Sequence, residues 1–174
     1  MRGRTWLFAV FAAMALPGCY INPPPSKEIT LRDDEFRPFV EYATPSIRMS
    51  SYPNYIFLRL VARIDRKTGE RSTLAGLAFV YPGRAMRKYN SARKARAEVL
   101  RFYKPTRNRS CEECVCSVTE RLMIGIPETE LRQAPPSGYK FKVFARDGSE
   151  ALITIPQDAI EQLFAKLDKH SPKA

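Results

Sequence analysis

The chain has 174 residues, 44% of them hydrophobic, with 29 lysines and arginines against 18 aspartates and glutamates, a formal net charge of +11. That is the size of one ordinary domain with enough apolar material for a core. One histidine and four cysteines leave little room for histidine-based catalysis or structural zinc, and the positive excess points to solubility and anionic neighbours, not to a fold.

Taken from the start, Arg2 and Arg4 precede an unbroken apolar run of eleven residues, Trp6 to Leu16. That length suits the core of a secretory signal, about 7–15 residues. It falls short of the about 20 needed to cross a bilayer. Leu16-Pro17-Gly18-Cys19 follows, and this stretch resembles the lipobox of bacterial lipoproteins: aliphatic, variable, small, cysteine. The resemblance implies cleavage before Cys19, acylation of its thiol and of the new amino group, and a firm anchor, since one acyl chain binds reversibly and two or more hold. It also implies a periplasm-facing location. Tyr20, where aspartate would favour the inner membrane, leans the reading toward the outer one. Ala13-Met14-Ala15 offers a rival cut that would release a soluble protein, and Pro17, two residues beyond it, disfavours that cut. Loss of residues 1–18 removes two arginines and lowers the net charge to +9.

Residues 19–50 are expected to be a lipidated N-terminus and a proline-rich tether that gradually becomes structured. Pro23-Pro24-Pro25 favours stiff polyproline II. Pro38, Pro45 and Pro53 interrupt any long helix or central strand, and a first short strand is expected near Phe36 to Tyr42. Residues 51–170 are expected to fold as one β-rich domain, and 171–174 to be a tail.

Within that domain, Ile56, Leu58, Leu60, Ala62 and Ile64 recur at period two with Arg59 and Arg63 opposite, which predicts a strand with one buried side. The polar segment 65–70, containing Gly69, predicts a turn. Leu74 to Tyr81 is apolar on both faces, as in a central strand, and Pro82-Gly83 stops it. Residues 84–104 fit either a helix capped at Ser91 or a strand from about residue 96, and the strand is preferred. Cys114 to Ile126 alternates and ends at Pro127, with a helical turn expected over 127–131. Tyr139, Phe141, Val143 and Ala145 alternate up to Asp147-Gly148, a dipeptide suited to a type I′ hairpin. Ala151, Ile153 and Ile155 return as the partner strand. Pro156 then opens a helix whose Ile160, Leu163, Phe164 and Leu167 form one apolar stripe. The expected fold is mainly β, an antiparallel two-layer sandwich-like domain with a C-terminal amphipathic helix.

Two features carry possible chemistry. Cys111, Cys114 and Cys116 cluster in CEECVC. In an oxidising envelope one disulfide is expected, joining Cys111 to Cys114 or to Cys116. A redox role for the C-x-x-C pair is a third-rank reading, because no βαβ pattern surrounds it. The other feature is the basic stretch 84–109, with Arg84, Arg87, Lys88, Arg93, Lys94, Arg96 and Arg101 as the anionic-ligand candidates and Tyr89, Phe102 and Tyr103 interleaved. Strand alternation is expected to scatter these cations over both faces. No nucleophile elbow, P-loop or HExxH motif occurs, and no catalytic residue, metal or cofactor is expected. The favoured role is a non-catalytic, membrane-anchored envelope lipoprotein acting as a binding or scaffold module. The alternative is a binder of anionic lipid, wall polymer or nucleic acid through 84–109, with nucleic acid the least favoured. Expected partners are the membrane, through lipid on Cys19, and an envelope protein or anionic polymer. No small-molecule substrate is indicated.

Overall fold

The computed structural model describes residues 28–51, 53–83, 85–112 and 115–169. The expected signal segment, Cys19, Arg84, Cys114, His170 and the expected tail 171–174 lie outside the described residues. Eleven strands occur among those described: β1 (Thr30–Arg32), β2 (Phe39–Ala43), β3 (Ile47–Arg48), β4 (Tyr55–Asp65), β5 (Arg71–Pro82), β6 (Tyr89–Arg93), β7 (Arg101–Phe102), β8 (Thr106–Glu112), β9 (Val115–Gly125), β10 (Tyr139–Ala145) and β11 (Glu150–Ile155). Two helices complete them, α1 (Glu128–Arg132) and α2 (Gln157–Lys169).

The strands form two antiparallel sheets. The large one runs β1-β2-β4-β5-β9-β7, with β3 also on β4 and β8 also on β9. The small one runs β11-β10-β6. Period-two alternation decides what each sheet buries. Leu58, Leu60 and Ala62 of β4, Leu77 and Phe79 of β5, and Leu122 and Ile124 of β9 turn to one side and are almost fully buried. Phe141 and Val143 of β10 and Ile153 and Ile155 of β11 join them in one core. So does the stripe Ile160, Leu163, Phe164 and Leu167, which closes α2 over the same core. Each of these large apolar side chains contributes roughly 1.5–3 kcal/mol by leaving water. The mainly β, sandwich-like fold with a C-terminal helix is therefore as expected.

Local differences have physical reasons. The tether expected over 19–50 contains β1, β2 and β3, and Tyr42 and Ala43 are buried. Strands of two to five residues bounded by prolines leave little periodic signal. In 84–104 the helix reading fails, since Ser91 lies inside β6 and pairs with Phe144. The strand expected from residue 96 shrinks to β7, preceded by a 3-10 turn over Ala95–Ala97. The final hairpin forms where expected but not as a type I′ turn, which needs φ > 0 at both central residues. Only Gly148 has it, at 85°. The Ala145 N–H donates to Ser149 O (2.9 Å) and the Gly148 N–H to Ala145 O (3.2 Å), a three-residue loop with glycine in the left-handed position. Gly138 before β10 is equally constrained: φ is 85°, and a Cβ there would stand 2.2 Å from the Ile155 carbonyl oxygen.

Candidate anion-binding cleft

The chemistry of this fold centres on a carboxylate in the core. Glu120 sits on the inward face of β9, between Val118 and Leu122, and is 0% exposed. Its register partner on β8 is Arg107, and on β5 it is Phe79, with Tyr81 on the diagonal. The Arg107 Nε donates to Glu120 Oε2 at 2.8 Å, and the Tyr81 hydroxyl donates to Oε1 at 2.5 Å. The backbone N–H groups of Lys88 (3.0 Å) and Tyr89 (3.3 Å) donate to the same carboxylate. Lys88 holds a φ of 62°, a conformation that costs a non-glycine residue about 1–3 kcal/mol. Its geometry aims two successive N–H groups at one anion, and the bonds to Glu120 offset that cost.

Burial alone would raise the Glu120 carboxyl. The hydrogen bonds from Tyr81, Arg107 and the Lys88 N–H outweigh it and hold the group below the ordinary carboxylate range. The Tyr81 phenol is pushed up, first by burial and then by its bond to Glu120. Burial likewise raises the Tyr89 phenol, whose ring stacks on Phe79 with centroids 4.1 Å apart. Arg87 is drawn into the same network. Its N–H donates to the Tyr81 hydroxyl at 2.8 Å, and its guanidinium lies 4.4 Å above the Tyr81 ring and donates to Asn54 Oδ1 at 3.1 Å.

Fixing residues 87–89 in this way turns Lys88 toward a cleft where the edges of the two sheets meet. The cleft holds about 440 Å³ and is lined by Lys88, Asn90, Phe102, Lys104, Pro105, Arg107 and Arg146. Four cations and one aromatic ring line it, with no carboxylate among the lining residues. Arg107 closes one wall, tied to Glu120 behind it and donating to Tyr89 O at 3.0 Å. The backbone bond from Arg146 N to Lys88 O, at 3.3 Å, brings the β10–β11 loop to the same place. Lys88, Lys104 and Arg146 make no salt bridge among the described residues.

The seven cations singled out from the sequence go to different places. Arg84 lies outside the described residues, and Arg87 belongs to the Glu120 network. Lys88 enters the cleft. Arg93 and Lys94 line a depression on the small sheet. Arg96, at φ 63°, is exposed in the 3-10 turn. Arg101 lies 5.0 Å above the Tyr103 ring, beside Gly125. Lys104, Arg107 and Arg146 were not among the candidates, although the first two fall in the basic stretch. The disulfide joins Cys111 to Cys116. These residues are register partners across the β8–β9 hairpin, so the bond staples the strand that carries Arg107. Cys114 and Cys19 lie outside the described residues. No helix among the described residues is long and apolar enough to cross a membrane. No protein-family model, curated protein or solved structure matches the chain.

Proposed function

We propose that this chain is a non-catalytic binding module of the bacterial cell envelope, anchored by lipid on Cys19, and that the cleft between its sheets takes an anionic ligand such as a phosphate-bearing envelope polymer. The observation that carries the reading is the convergence of Lys88, Lys104, Arg107 and Arg146 on one concave site without a lining carboxylate. An arginine fixed by Glu120 offers preoriented N–H donors, and three lysine or arginine side chains without ion partners among the described residues supply charge. Hydrogen bonds from such cations to an anion contribute about 1.5–3 kcal/mol each.

Two measurements test the reading. The intact mass of the protein from native membranes should match residues 19–174 plus acyl chains, and a chain starting at Leu16 without lipid would remove the anchor. Binding of inorganic polyphosphate to the full chain should weaken steeply as salt rises, through counterion release. The double variant Lys104→Gln/Arg146→Gln should bind about tenfold more weakly or worse, with a shallower salt dependence. Unchanged polyphosphate binding in that variant would remove the cleft from the proposal.

A further inference from the structure

The outer face of the small sheet is built differently from the cleft. Alternation in β10 turns Phe141 and Val143 into the core and leaves Lys140, Lys142 and Phe144 on the other side. Leu152 of β11 and Arg93 of β6 both stand opposite Lys142. Leu152 is 60% exposed, one of four exposed large hydrophobic residues among those described. With Phe144 it lines a shallow depression of about 410 Å³ that also takes in Arg93, Lys94, Lys140 and Lys142. The Arg93 guanidinium lies 5.7 Å from the centre of the Phe144 ring. Lys94 is held by Glu98 (2.9 Å) and Glu130 (2.8 Å), and Lys142 by Glu150 (2.6 Å). Arg93 and Lys140 make no salt bridge among the described residues.

We propose that this face rests on an anionic bilayer, with Leu152 and Phe144 entering the boundary between headgroups and acyl chains and Arg93 and Lys140 meeting lipid phosphates. A soluble polyanion would satisfy the cations and leave Leu152 in water, whereas a bilayer accepts both. Long basic side chains around an apolar centre place their heads at phosphate level while their stems follow the apolar residues inward. Charge complementarity to anionic lipid adds attraction for each basic group near the surface. The inference rests on the proposed lipid anchor only for the nearness of a membrane. Ten residues separate Cys19 from β1, and they span at most about 35–40 Å.

The test uses the chain from residue 19 with Cys19→Ser, so that neither an acyl anchor nor the apolar run Trp6 to Leu16 contributes, and since Trp6 is the sole tryptophan of the sequence a single introduced tryptophan reports its own position. In this background Leu152→Trp should show blue-shifted emission, quenched by brominated acyl chains, with phosphatidylcholine vesicles containing phosphatidylglycerol. The response should be weaker with phosphatidylcholine alone. Ser117→Trp, at an exposed position on β9 of the other sheet, should show neither change. Adding Lys140→Glu to the Leu152→Trp probe should weaken partitioning at least about fivefold. The inference is overturned by the absence of a shift with anionic vesicles, or by equal quenching of the two probes. It is also overturned by a shift that grows with protein concentration without lipid, which marks self-association, or by a response to monomeric decyl phosphate alone, which marks a small-amphiphile site. None of these outcomes touches Lys104 or Arg146, so the cleft reading stands or falls separately.

Discussion

Lys104 and Arg107 are three residues apart and line one cleft, yet their charges are handled in opposite ways. The Arg107 guanidinium is anchored to a carboxylate that is fully buried and to the Tyr89 carbonyl oxygen. Lys104 makes no ion pair among the described residues. The same division separates neighbouring Arg87, stacked on Tyr81, from Lys88, which faces the cleft. Density of positive charge along a chain therefore does not mark a binding surface. The mark is whether a buried carboxylate or a buried ring already holds each cation. Where one does, the charge is committed to the fold and only the cation's remaining N–H groups are left for a ligand, and where none does, the charge itself is available at some cost in self-repulsion.

The largest expected effect comes from breaking the inner half of that contrast. Glu120→Ala should destabilise the protein by about 3–5 kcal/mol, because it leaves Arg107 and two backbone N–H groups without their acceptor. Denaturant unfolding at neutral pH checks this, and a loss below about 1 kcal/mol would contradict it. The pH dependence has a definite sign. A carboxyl held below its ordinary value contributes stability that is fully present above the unfolded value, about 4.3, and is lost as pH falls through the folded one. Glu120→Gln should therefore lose less stability than the wild type between neutral pH and the acid range. Next in size, Cys111→Ser/Cys116→Ser should cost about 2 kcal/mol, the loop-closure value for so short a ring, read as a lower urea midpoint. Tyr81→Phe, which removes the hydroxyl bonded to Glu120 and Arg87, should cost about 1–1.5 kcal/mol in the same assay.

The elements that bury one clean face were legible. The alternation of β4, β9 and β10 and the stripe of α2 each appear in the core as read, because period follows directly from which side chains must leave water. A signal for Glu120 was also present. A carboxylate at the centre of the apolar set Cys116, Val118, Leu122 and Ile124 needs a buried partner, and a hairpin through CEECVC puts Arg107 opposite it. The outer half of the site was not legible. Arg146 reaches Lys88 through pairing between the β6 and β10 strands, some fifty residues apart in sequence, and nothing local specifies that pairing. β6 itself, Tyr89-Asn90-Ser91-Ala92-Arg93, is too polar to announce a strand, and β1, β3 and β7 are too short.

The smallest expected change in stability tests the outer half of the contrast. Lys88→Gln/Lys104→Gln/Arg146→Gln removes three cleft charges that have no ion partner among the described residues. Surface substitutions of that kind stay within about 0.5 kcal/mol of the wild type. The sign here should be neutral or stabilising, because the variant relieves repulsion among cations gathered around one opening. Any gain should shrink as salt is raised, since screening already weakens that repulsion in the wild type. Unfolding of both proteins at low and high salt reads this directly. Stability retained together with lost polyphosphate binding would identify the three side chains as kept for a ligand and not for the fold. A loss above about 1 kcal/mol would instead make them structural like Arg107, and the difference between the two halves of the cleft would disappear.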